Sequence, residues 1–248
     1  MQRRRAGCTC STMAEQRKPV CIVVGVGPGI GAALARRFAK EGFQIALLAR
    51  STEFSERLAK ELPSAKAYAC DAGDAASVER AFSAIRSELG DAEVMVYNAG
   101  SGVWGTIEEV DAAAFESAWR VNTLGAFLAS QQVIPGMKKA GRGSIVFIGA
   151  TASRRGVPRT TAFAPAKAAQ KSLAEAMARH LWKVGIHVAL VVVDGVVDLQ
   201  RTRVMMKDKP DSFFVKPDDV AAVVHGLTQQ APSAWSFEVE ARPFGETW

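Results

Sequence analysis

Residues 160–169, TTAFAPAKAA, place an aromatic ring and a cation at a spacing that suits an active-site helix. Phe163 and Lys167 stand four positions apart, so on a helix both side chains lie on one face. An ammonium held there can donate hydrogen bonds to an oxygen and stabilise negative charge that develops on it. Phe163 has no hydroxyl proton to donate. The stretch predicts a site with a cation and without an aromatic acid, unless Lys167 is an ordinary solvated lysine.

Two hydroxyl groups lie upstream, in FIGATASRRG at residues 147–156. Thr151 and Ser153 follow an apolar, β-branched run, which places both in a loop after a predicted strand. A hydroxyl can donate a hydrogen bond to a carbonyl oxygen. The geometry of the loop decides which of them reaches a substrate, and the sequence leaves both open.

A glycine-rich turn, VGVGPGIG at residues 24–31, follows the first apolar run and precedes a helical pattern. Gly25, Gly29 and Gly31 permit a tight turn and let backbone N–H groups approach a pyrophosphate, whose charge is favoured at a helix N-terminus. The alternative is a plain strand-to-helix turn. Strand, turn and amphipathic helix nevertheless occur in the order that a dinucleotide site requires, so we predict that this turn binds a dinucleotide.

The second apolar run ends in LLARSTE at residues 47–53. Chains that bind NAD usually carry an acidic residue for the ribose 2′-hydroxyl about 20 positions after the glycines. Here that place is taken by Arg50, followed by the hydroxyls of Ser51 and Thr52. An arginine with neighbouring hydroxyls suits a 2′-phosphate, so the segment predicts NADP(H) unless Arg50 is an ordinary loop arginine.

The elements that position these groups alternate regularly along the chain. Short apolar runs rich in β-branched residues alternate with longer helical patterns, which is typical of βαβ units around a parallel sheet. The predicted strands lie at residues 19–25, 43–49, 65–70, 93–100, 143–149, 186–195 and 236–241. The predicted helices lie at residues 29–42, 75–89, 111–138, 161–184 and 217–229. We predict one doubly wound α/β domain of Rossmann type over residues 18–248, preceded by an extension or disordered segment at residues 1–17.

Composition argues against nucleic acid and membranes as partners. The formal net charge is +6, but three positive charges fall in RRR at residues 3–5, and the others are dispersed without interleaved aromatics. No apolar run approaches the ~20 residues that cross a bilayer. The three histidines lack metal-ligand spacing with one another or with a cysteine, so we expect no metal site.

The four cysteines do not form a disulfide framework. Cys8 and Cys10 lie in the N-terminal extension, whereas Cys21 and Cys70 fall in apolar runs and are expected to pack as small hydrophobic residues. A reducing, cytoplasmic compartment follows. The first twelve residues are basic, rich in hydroxyls and free of acids, which leaves organelle targeting open.

Further motifs occur in order after the glycine turn: CDAGD at 70–74, YNAG at 97–100, RVNTLGAF at 120–127 and GSIVFIGA at 143–150. With these motifs and the Phe163/Lys167 helix, the chain resembles the short-chain dehydrogenase/reductase family over residues 18–248. The resemblance implies a seven-stranded Rossmann-type sheet. It also implies an oxidoreductase that transfers a hydride between NADP(H) and a small carbonyl or alcohol substrate.

The resemblance assigns roles to individual residues. It implies that Asp71 lies near the adenine, that Lys167 donates to the nicotinamide ribose and that Asn122 anchors a water in a proton relay. The residues implied to line the cofactor are Asn98, Ala99 and Gly100. Further implied cofactor contacts are Pro28, Ile30, Ser51, Ala72, Gly195 and Val197.

The chain departs from the family in its acid–base groups. Phe163 stands in place of the family's tyrosine, and the family's serine, thirteen positions upstream, falls on Ala150. Tyr68 and Tyr97 lie in strand runs and cannot replace the missing phenol. The position after the sixth strand that the family fills with proline is Asp194, a carboxylate near the expected nicotinamide pocket.

A non-standard proton relay is the consequence for an enzyme. Lys167 would act through a water on Asn122, with Thr151 or Ser153 as hydroxyl donor. The alternative function is a cofactor-binding protein without turnover, such as an NADP(H)-responsive regulator or the non-catalytic subunit of a hetero-oligomer. By resemblance, the helices at 111–138 and 161–184 imply a homodimer or homotetramer, and residues 199–216 correspond to the family's substrate lid. The sequence does not identify the substrate.

Overall fold

The computed structural model describes residues 18–245, so the predicted extension at residues 1–17 lies outside the described residues. All seven predicted strands form. The strands are β1 (Val20–Val24), β2 (Gln44–Ala49), β3 (Ala65–Ala69), β4 (Val94–Tyr97), β5 (Gly143–Ala150), β6 (Ile186–Val193), β7 (Val196–Val197), β8 (Phe214–Val215) and β9 (Glu238–Ala241).

Within the described residues, the main sheet has seven strands in the order β3-β2-β1-β4-β5-β6-β9, and every neighbouring pair is parallel. The short strands β7 and β8 pair only with each other. The strand order changes direction between β1 and β4. In open α/β sheets, ligands bind outside the carboxyl ends of the strands at such a switch point. The predicted Rossmann-type fold is confirmed.

Helices cover the sheet on both faces. They are α1 (Ile30–Lys40), α2 (Glu53–Glu61), α3 (Ala75–Glu88), α4 (Ala112–Trp119), α5 (Gly125–Ala140), α6 (Phe163–Leu181), α7 (Gln200–Met205) and α8 (Pro217–Thr228). The predicted helix at 111–138 is α4 and α5 joined by a π-helical turn at Arg120–Leu124. The sequence analysis missed α2 because that helix is polar and buries only Ser55 and Leu58.

The core lies on the two faces of the sheet. One cluster includes Ile22 and Val24 of β1 and packs under α3, α5 and α6. The other includes Cys21 and Val23 and packs under α1 and α8. Successive side chains of a strand point to opposite faces, so a strand buried on both sides reads as a continuous apolar run. None of the helices between residues 18 and 245 is long and apolar enough to cross a membrane.

Candidate active site

The glycine turn between β1 and α1 packs tightly against the end of β4. Gly25 has a φ of +92°, and a Cβ atom there would lie 2.4 Å from the backbone of Ala99. A Cβ atom on Gly31 would lie 2.6 Å from the carbonyl oxygen of Gly25. Asn98 Nδ2 donates a hydrogen bond of 2.6 Å to that same oxygen. Glycine is therefore required at both positions for the turn to close, and Asn98 holds it.

The N-terminus of α1 points out of this turn. The helix begins at Ile30, after Gly29 and the exposed Pro28, and no side chain caps it. Uncapped N–H groups and the helix dipole together favour an anion. Leu199, just before α7, lies over the turn, because a Cβ atom on Gly29 would be 2.7 Å from its Cδ2. The family resemblance had placed Leu199 at the start of the predicted lid and had not indicated its contact with the glycine turn.

The adenosine side of the predicted site is open to solvent. Arg50 and Ser51 are exposed at the end of β2. Between residues 18 and 245, no acidic side chain forms an ion pair with Arg50. Asp71, exposed after β3, accepts a hydrogen bond of 2.9 Å from the backbone N–H of Gly73. Ala72 beside it is buried. Arg50 is thus available to meet an anion at this edge.

Lys167 is a buried side chain with defined partners. Only 5% of the residue is exposed. Its Nζ donates hydrogen bonds to the carbonyl oxygen of Ile148 at 2.9 Å and to Gln170 Oε1 at 3.1 Å. Burial disfavours the charged form and lowers the pKa of Lys167 to about 8. The alternative of a solvated helix lysine is therefore wrong.

Asn122 lies fully buried in the π-helical turn beside Lys167. Its Nδ2 donates to the carbonyl oxygens of Ser101 at 3.0 Å and Ala118 at 2.8 Å, whereas its Oδ1 makes no hydrogen bond. A Cβ atom on Gly100 would lie 3.3 Å from Asn122 Oδ1 and 3.8 Å from Lys167 Nζ. An unpaired acceptor and an ammonium thus lie near the same glycine, and both are buried. A hydroxyl group placed there can satisfy both.

The backbone carbonyl oxygen of Asn122 accepts a hydrogen bond from Gln170, a residue that the sequence analysis missed. Gln170 Nε2 donates a hydrogen bond of 2.8 Å to the carbonyl oxygen of Asn122. Gln170 is fully buried and bridges Asn122 and Lys167. The water predicted between these two residues would compete with the Gln170 amide. The only sequence signal for Gln170 was a polar residue on an otherwise alanine-rich face.

Both predicted hydroxyl groups make hydrogen bonds within the protein, Thr151 as a donor and Ser153 as an acceptor. Thr151 Oγ1 donates a hydrogen bond to the carboxylate of Asp194. Ser153 is buried, and its oxygen accepts a 3.1 Å hydrogen bond from the backbone N–H of Ala150. Ser153 therefore shapes the loop after β5. The Thr151 proton is directed at Asp194, which leaves the oxygen of Thr151 to act as an acceptor.

Asp194 is a buried carboxylate at the end of β6. Burial alone would raise the pKa of Asp194, but the hydrogen bond from Thr151 and the charge and hydrogen bond of Arg242 outweigh it, and the pKa is lowered. Arg242 follows β9 and forms an ion pair with the carboxylate. An ionised Asp194 accepts hydrogen bonds and cannot donate a proton.

Phe163 forms an aromatic pair at the rim of the site. Its ring centroid lies 5.4 Å from that of Trp104, with the planes tilted by 39°. Trp104 is 59% exposed, so its other face is open to solvent. The loop that carries Trp104 is tied to the start of α6 by a bridge between Gly105 and Thr160. Phe163 therefore contributes an apolar surface.

The remaining predicted contacts lie after β6. Gly195 packs against Pro243, since a Cβ atom on Gly195 would be 2.8 Å from the proline ring. Val197 belongs to β7, which pairs with β8 at the end of the predicted lid segment. Asp198 binds Arg203 of α7 and Lys216, each at 2.6 Å, and fixes the base of this segment. No group of three His, Cys, Asp or Glu side chains between residues 18 and 245 is placed to hold a metal ion.

These features fit a nicotinamide dinucleotide. The closed glycine turn and the uncapped helix suit a pyrophosphate, and the unpaired Asn122 Oδ1 with the Lys167 ammonium suits a ribose hydroxyl. Both lie at the carboxyl ends of the strands around the switch point of a parallel sheet. The fold and the site define a Rossmann-type dinucleotide-binding protein.

Comparison with known proteins agrees with this class. Residues 19–210 match the family model of the short chain dehydrogenases. The chain therefore belongs to the short-chain dehydrogenase/reductase family, whose members are oxidoreductases. The family resemblance inferred from the sequence motifs is confirmed.

Three relatives illustrate the similarity. The 2-(S)-hydroxypropyl-CoM dehydrogenase 3 of Xanthobacter autotrophicus is 30% identical over 235 residues, 87% of this chain and 91% of the relative. The structure of a metagenomic short-chain oxidoreductase in complex with NADP is 28% identical, with a TM-score of 0.79 over 92% of this chain and 98% of that one. A variant of actinorhodin polyketide ketoreductase with NADPH is 26% identical, with a TM-score of 0.84 over 93% and 98%.

Proposed function

We propose that this protein is an NADP(H)-dependent oxidoreductase that interconverts a carbonyl and an alcohol, with Lys167 as its hydrogen-bond donor. One observation carries the proposal. The ammonium of Lys167 and the unpaired Oδ1 of Asn122 meet at Gly100, on the edge of the sheet where the glycine turn lies. A lysine that served only as surface charge would not be 95% buried with two hydrogen bonds.

Different residues of the chain would bind different parts of the cofactor. The turn at Gly25 to Gly31 and the N-terminus of α1 would hold the pyrophosphate. Arg50 would pair with the 2′-phosphate, and Asp71 would lie at the adenine. Lys167 and Asn122 would hold the nicotinamide ribose. When bound, NADP(H) supplies the hydride chemistry itself.

Lys167 is suited to stabilise an oxygen that gains negative charge. Two of its three N–H groups are used inside the protein, which leaves one donor for a ligand. Its lowered pKa of about 8 keeps both protonation states accessible near neutral pH. The absence of a phenol at Phe163 removes one positioned acid, which is worth roughly 10²–10⁴ in rate. We therefore expect slow turnover.

Cofactor preference tests the role of Arg50. We expect the wild-type protein to bind NADPH more tightly than NADH, because a guanidinium pairs with a 2′-phosphate and an aspartate would repel it. Arg50→Asp should invert the order of the two dissociation constants in fluorescence titrations. Lys60→Asp on α2 is the matched control, since it makes the same charge change at an exposed lysine. Equal affinities of the wild-type protein for both nucleotides would refute the assignment.

A second candidate function is cofactor binding without turnover, as in an NADP(H)-responsive regulator. A specific observation favours it. Thr151 donates to Asp194, Ser153 is buried against Ala150, and Phe163 has no hydroxyl. Neither predicted hydroxyl is therefore both free to donate and exposed, because the Thr151 proton is directed at Asp194 and Ser153 is buried.

Turnover with a panel of carbonyl compounds separates the two functions. The wild-type protein is first titrated with NADPH and then assayed for NADPH oxidation with aliphatic, aromatic and hydroxylated aldehydes and ketones. We expect slow oxidation that requires Lys167 and is lost in Lys167→Met, whose fold is checked by circular dichroism. Tight NADPH binding with no oxidation across the panel would instead support the regulator.

A further inference from the structure

Gln170 is a buried polar residue to which the proposed function assigns no role, although it contacts both Lys167 and Asn122. It is a fully buried glutamine, and its amide makes both hydrogen bonds that a bridging water would make. Oε1 accepts from Lys167 Nζ at 3.1 Å, and Nε2 donates to the carbonyl oxygen of Asn122 at 2.8 Å. The side chain thus lies between the ammonium and the π-helical turn.

We propose that Gln170 is a positioning residue that holds the Lys167 ammonium in place and closes the proton path between Lys167 and Asn122. The inference deepens the proposed function and rests on it for the role of Lys167 toward the cofactor. Lys167 then serves as a fixed donor and not as the end of a proton wire that leads to solvent.

The chemistry of the amide is the reason. A water molecule can accept a proton on one side and release another on the other side. The amide of Gln170 has an oxygen that only accepts and a nitrogen that only donates, and neither ionises near neutral pH. With Oε1 toward Lys167 and Nε2 toward Asn122, no proton can pass between the two residues.

The surroundings of Lys167 leave one exit for its protons. The carbonyl oxygen of Ile148 and the amide of Gln170 take two N–H groups. The third lies on the side of Gly100 and Asn122 Oδ1, where the ribose of a cofactor is proposed to bind. Burial lowers the pKa of Lys167, and both of its hydrogen-bond partners are uncharged. Exchange of its protons with solvent is therefore expected only through the cofactor side.

Hydrogen exchange of the lysine ammonium tests this directly. The full-length protein, labelled with ¹⁵N on lysine, is studied by NMR below the Lys167 pKa of about 8, so that the ammonium is charged. We expect the Lys167 protons to exchange more slowly with water than those of the exposed Lys40, by ~10-fold or more, because water reaches a buried proton only when the structure opens locally.

Two substitutions of Gln170 distinguish exclusion of water by the side chain from the effect of its hydrogen bonds. Gln170→Ala opens space lined by the Lys167 ammonium and the Asn122 carbonyl, which a water can fill, and exchange should rise by ~10-fold. Gln170→Met fills the space with an apolar side chain of similar length, and exchange should stay within about threefold of the wild-type rate. Backbone amide exchange of Ala174, one turn along α6 and buried, reports whether the helix itself has loosened.

Several outcomes would overturn the inference. One is a wild-type Lys167 ammonium that exchanges as fast as that of Lys40, and this comparison requires no variant to fold. Another is acceleration of equal size in Gln170→Ala and Gln170→Met, which would show that loss of the hydrogen bond alone matters. Since the measurement needs neither cofactor nor substrate, a protein without turnover could still confirm the closed path. Conversely, turnover with an open path would refute the inference and leave the proposed function intact.

Discussion

At the scale of single residues, the candidate site is governed by which polar atoms are already paired. Thr151 has its proton on Asp194, and Lys167 has two of three N–H groups inside the protein. Asn122 Oδ1 is buried without a hydrogen-bond partner, so a ligand that donates a hydrogen bond to it would be favoured. Phe163 packs its ring on Trp104 and supplies no proton. Of the acid–base groups that the family resemblance implies, the tyrosine hydroxyl at position 163 and the serine hydroxyl at position 150 are absent.

Restoring that phenol should raise the rate. In Phe163→Tyr the ring keeps its place against Trp104, and the new hydroxyl lies on the same helix face as Lys167. We expect NADPH-dependent carbonyl reduction to increase by up to ~10²–10⁴, the worth of one general acid. Ala150→Ser in addition should increase it further. Steady-state rates on the carbonyl panel measure both.

Phe163→Leu is the control for this substitution, because it changes the packing without adding a proton donor. Its rate should not exceed that of the wild-type protein. A Phe163→Tyr, Ala150→Ser variant that binds NADPH normally and reduces nothing would show that the substrate pocket itself is absent. That result would count against the oxidoreductase and favour the regulator.

At the scale of elements, ion pairs join the edge strand β9 to the loop after β5 and to the end of β6. Arg242 binds Asp194 on one side and Glu240 on the other. Arg154, in the loop after β5, pairs with Glu240 and Glu238. The charges fix the loop that carries Thr151 relative to β6.

Removal of Arg242 should destabilise this edge strongly. Arg242→Leu leaves the buried carboxylate of Asp194 without its main cation, and breaking a buried pair from one side costs about 3–5 kcal/mol in the free energy of unfolding. Asp194→Asn in the same chain should recover part of that loss, since the buried charge is gone. Urea unfolding at neutral pH measures all three proteins.

Arg36→Leu is the matched control for the ion pair. Arg36 and Glu61 form a surface pair with both side chains more than half exposed, so its loss should change stability by about 0.5 kcal/mol or less. Similar losses in Arg242→Leu and Arg36→Leu would show that the Asp194 pair contributes no more than a surface contact.

At the scale of the whole molecule, the packing of helix α6 on the sheet buries the ammonium of Lys167. Global stability must therefore depend on the charge of Lys167. Of the two predicted helices that the family resemblance implies for oligomerisation, the one at 111–138 carries exposed aromatics at Phe115, Trp119 and Phe127. The homodimer or homotetramer stays a prediction.

The pH dependence of unfolding follows from the buried ammonium. The pKa of Lys167 is lowered in the folded state from 10.5 to about 8 by burial. Between these values the unfolded chain binds more protons than the folded one, so this group makes stability rise with pH. The gain across the window is about 3 kcal/mol. Below pH 8 the folded protein bears the full penalty of a buried charge.

Lys167→Met removes this dependence and keeps a long side chain in the core. We expect the free energy of unfolding of the wild-type protein to increase relative to that of the variant as the pH rises from below 8 toward 10.5. Urea unfolding across this range, with the variant measured in parallel, cancels the other titrating groups. A constant difference between the two proteins would mean that Lys167 is not held in a desolvated site.

The sequence by itself determined the fold and the nucleotide-binding edge. The alternation of apolar runs with amphipathic patterns is local, because burial on both faces of a parallel sheet requires continuous apolar strands. The glycine turn was likewise visible in the sequence, since the positive φ of Gly25 and the contact of Gly31 with the Gly25 carbonyl oxygen arise within the turn itself. Lys167 was marked by its spacing from Phe163. Helix α2 was missed because it is short and mostly polar, although Phe54, Leu58 and Ala59 pack on the core.

Only the tertiary structure decided which of the polar groups remain available. Thr151 and Asp194 are 43 positions apart, and Asn122 and Gln170 are 48 apart, yet each pair shares a hydrogen bond. Leu199 reaches the glycine turn from a segment far along the chain. Such pairings depend on how adjacent strands and helices pack, and no local periodicity encodes them. A buried donor or acceptor can pair only with the few polar groups around it. Which groups remain free to act on a ligand therefore depends on these pairings and not on residue type alone.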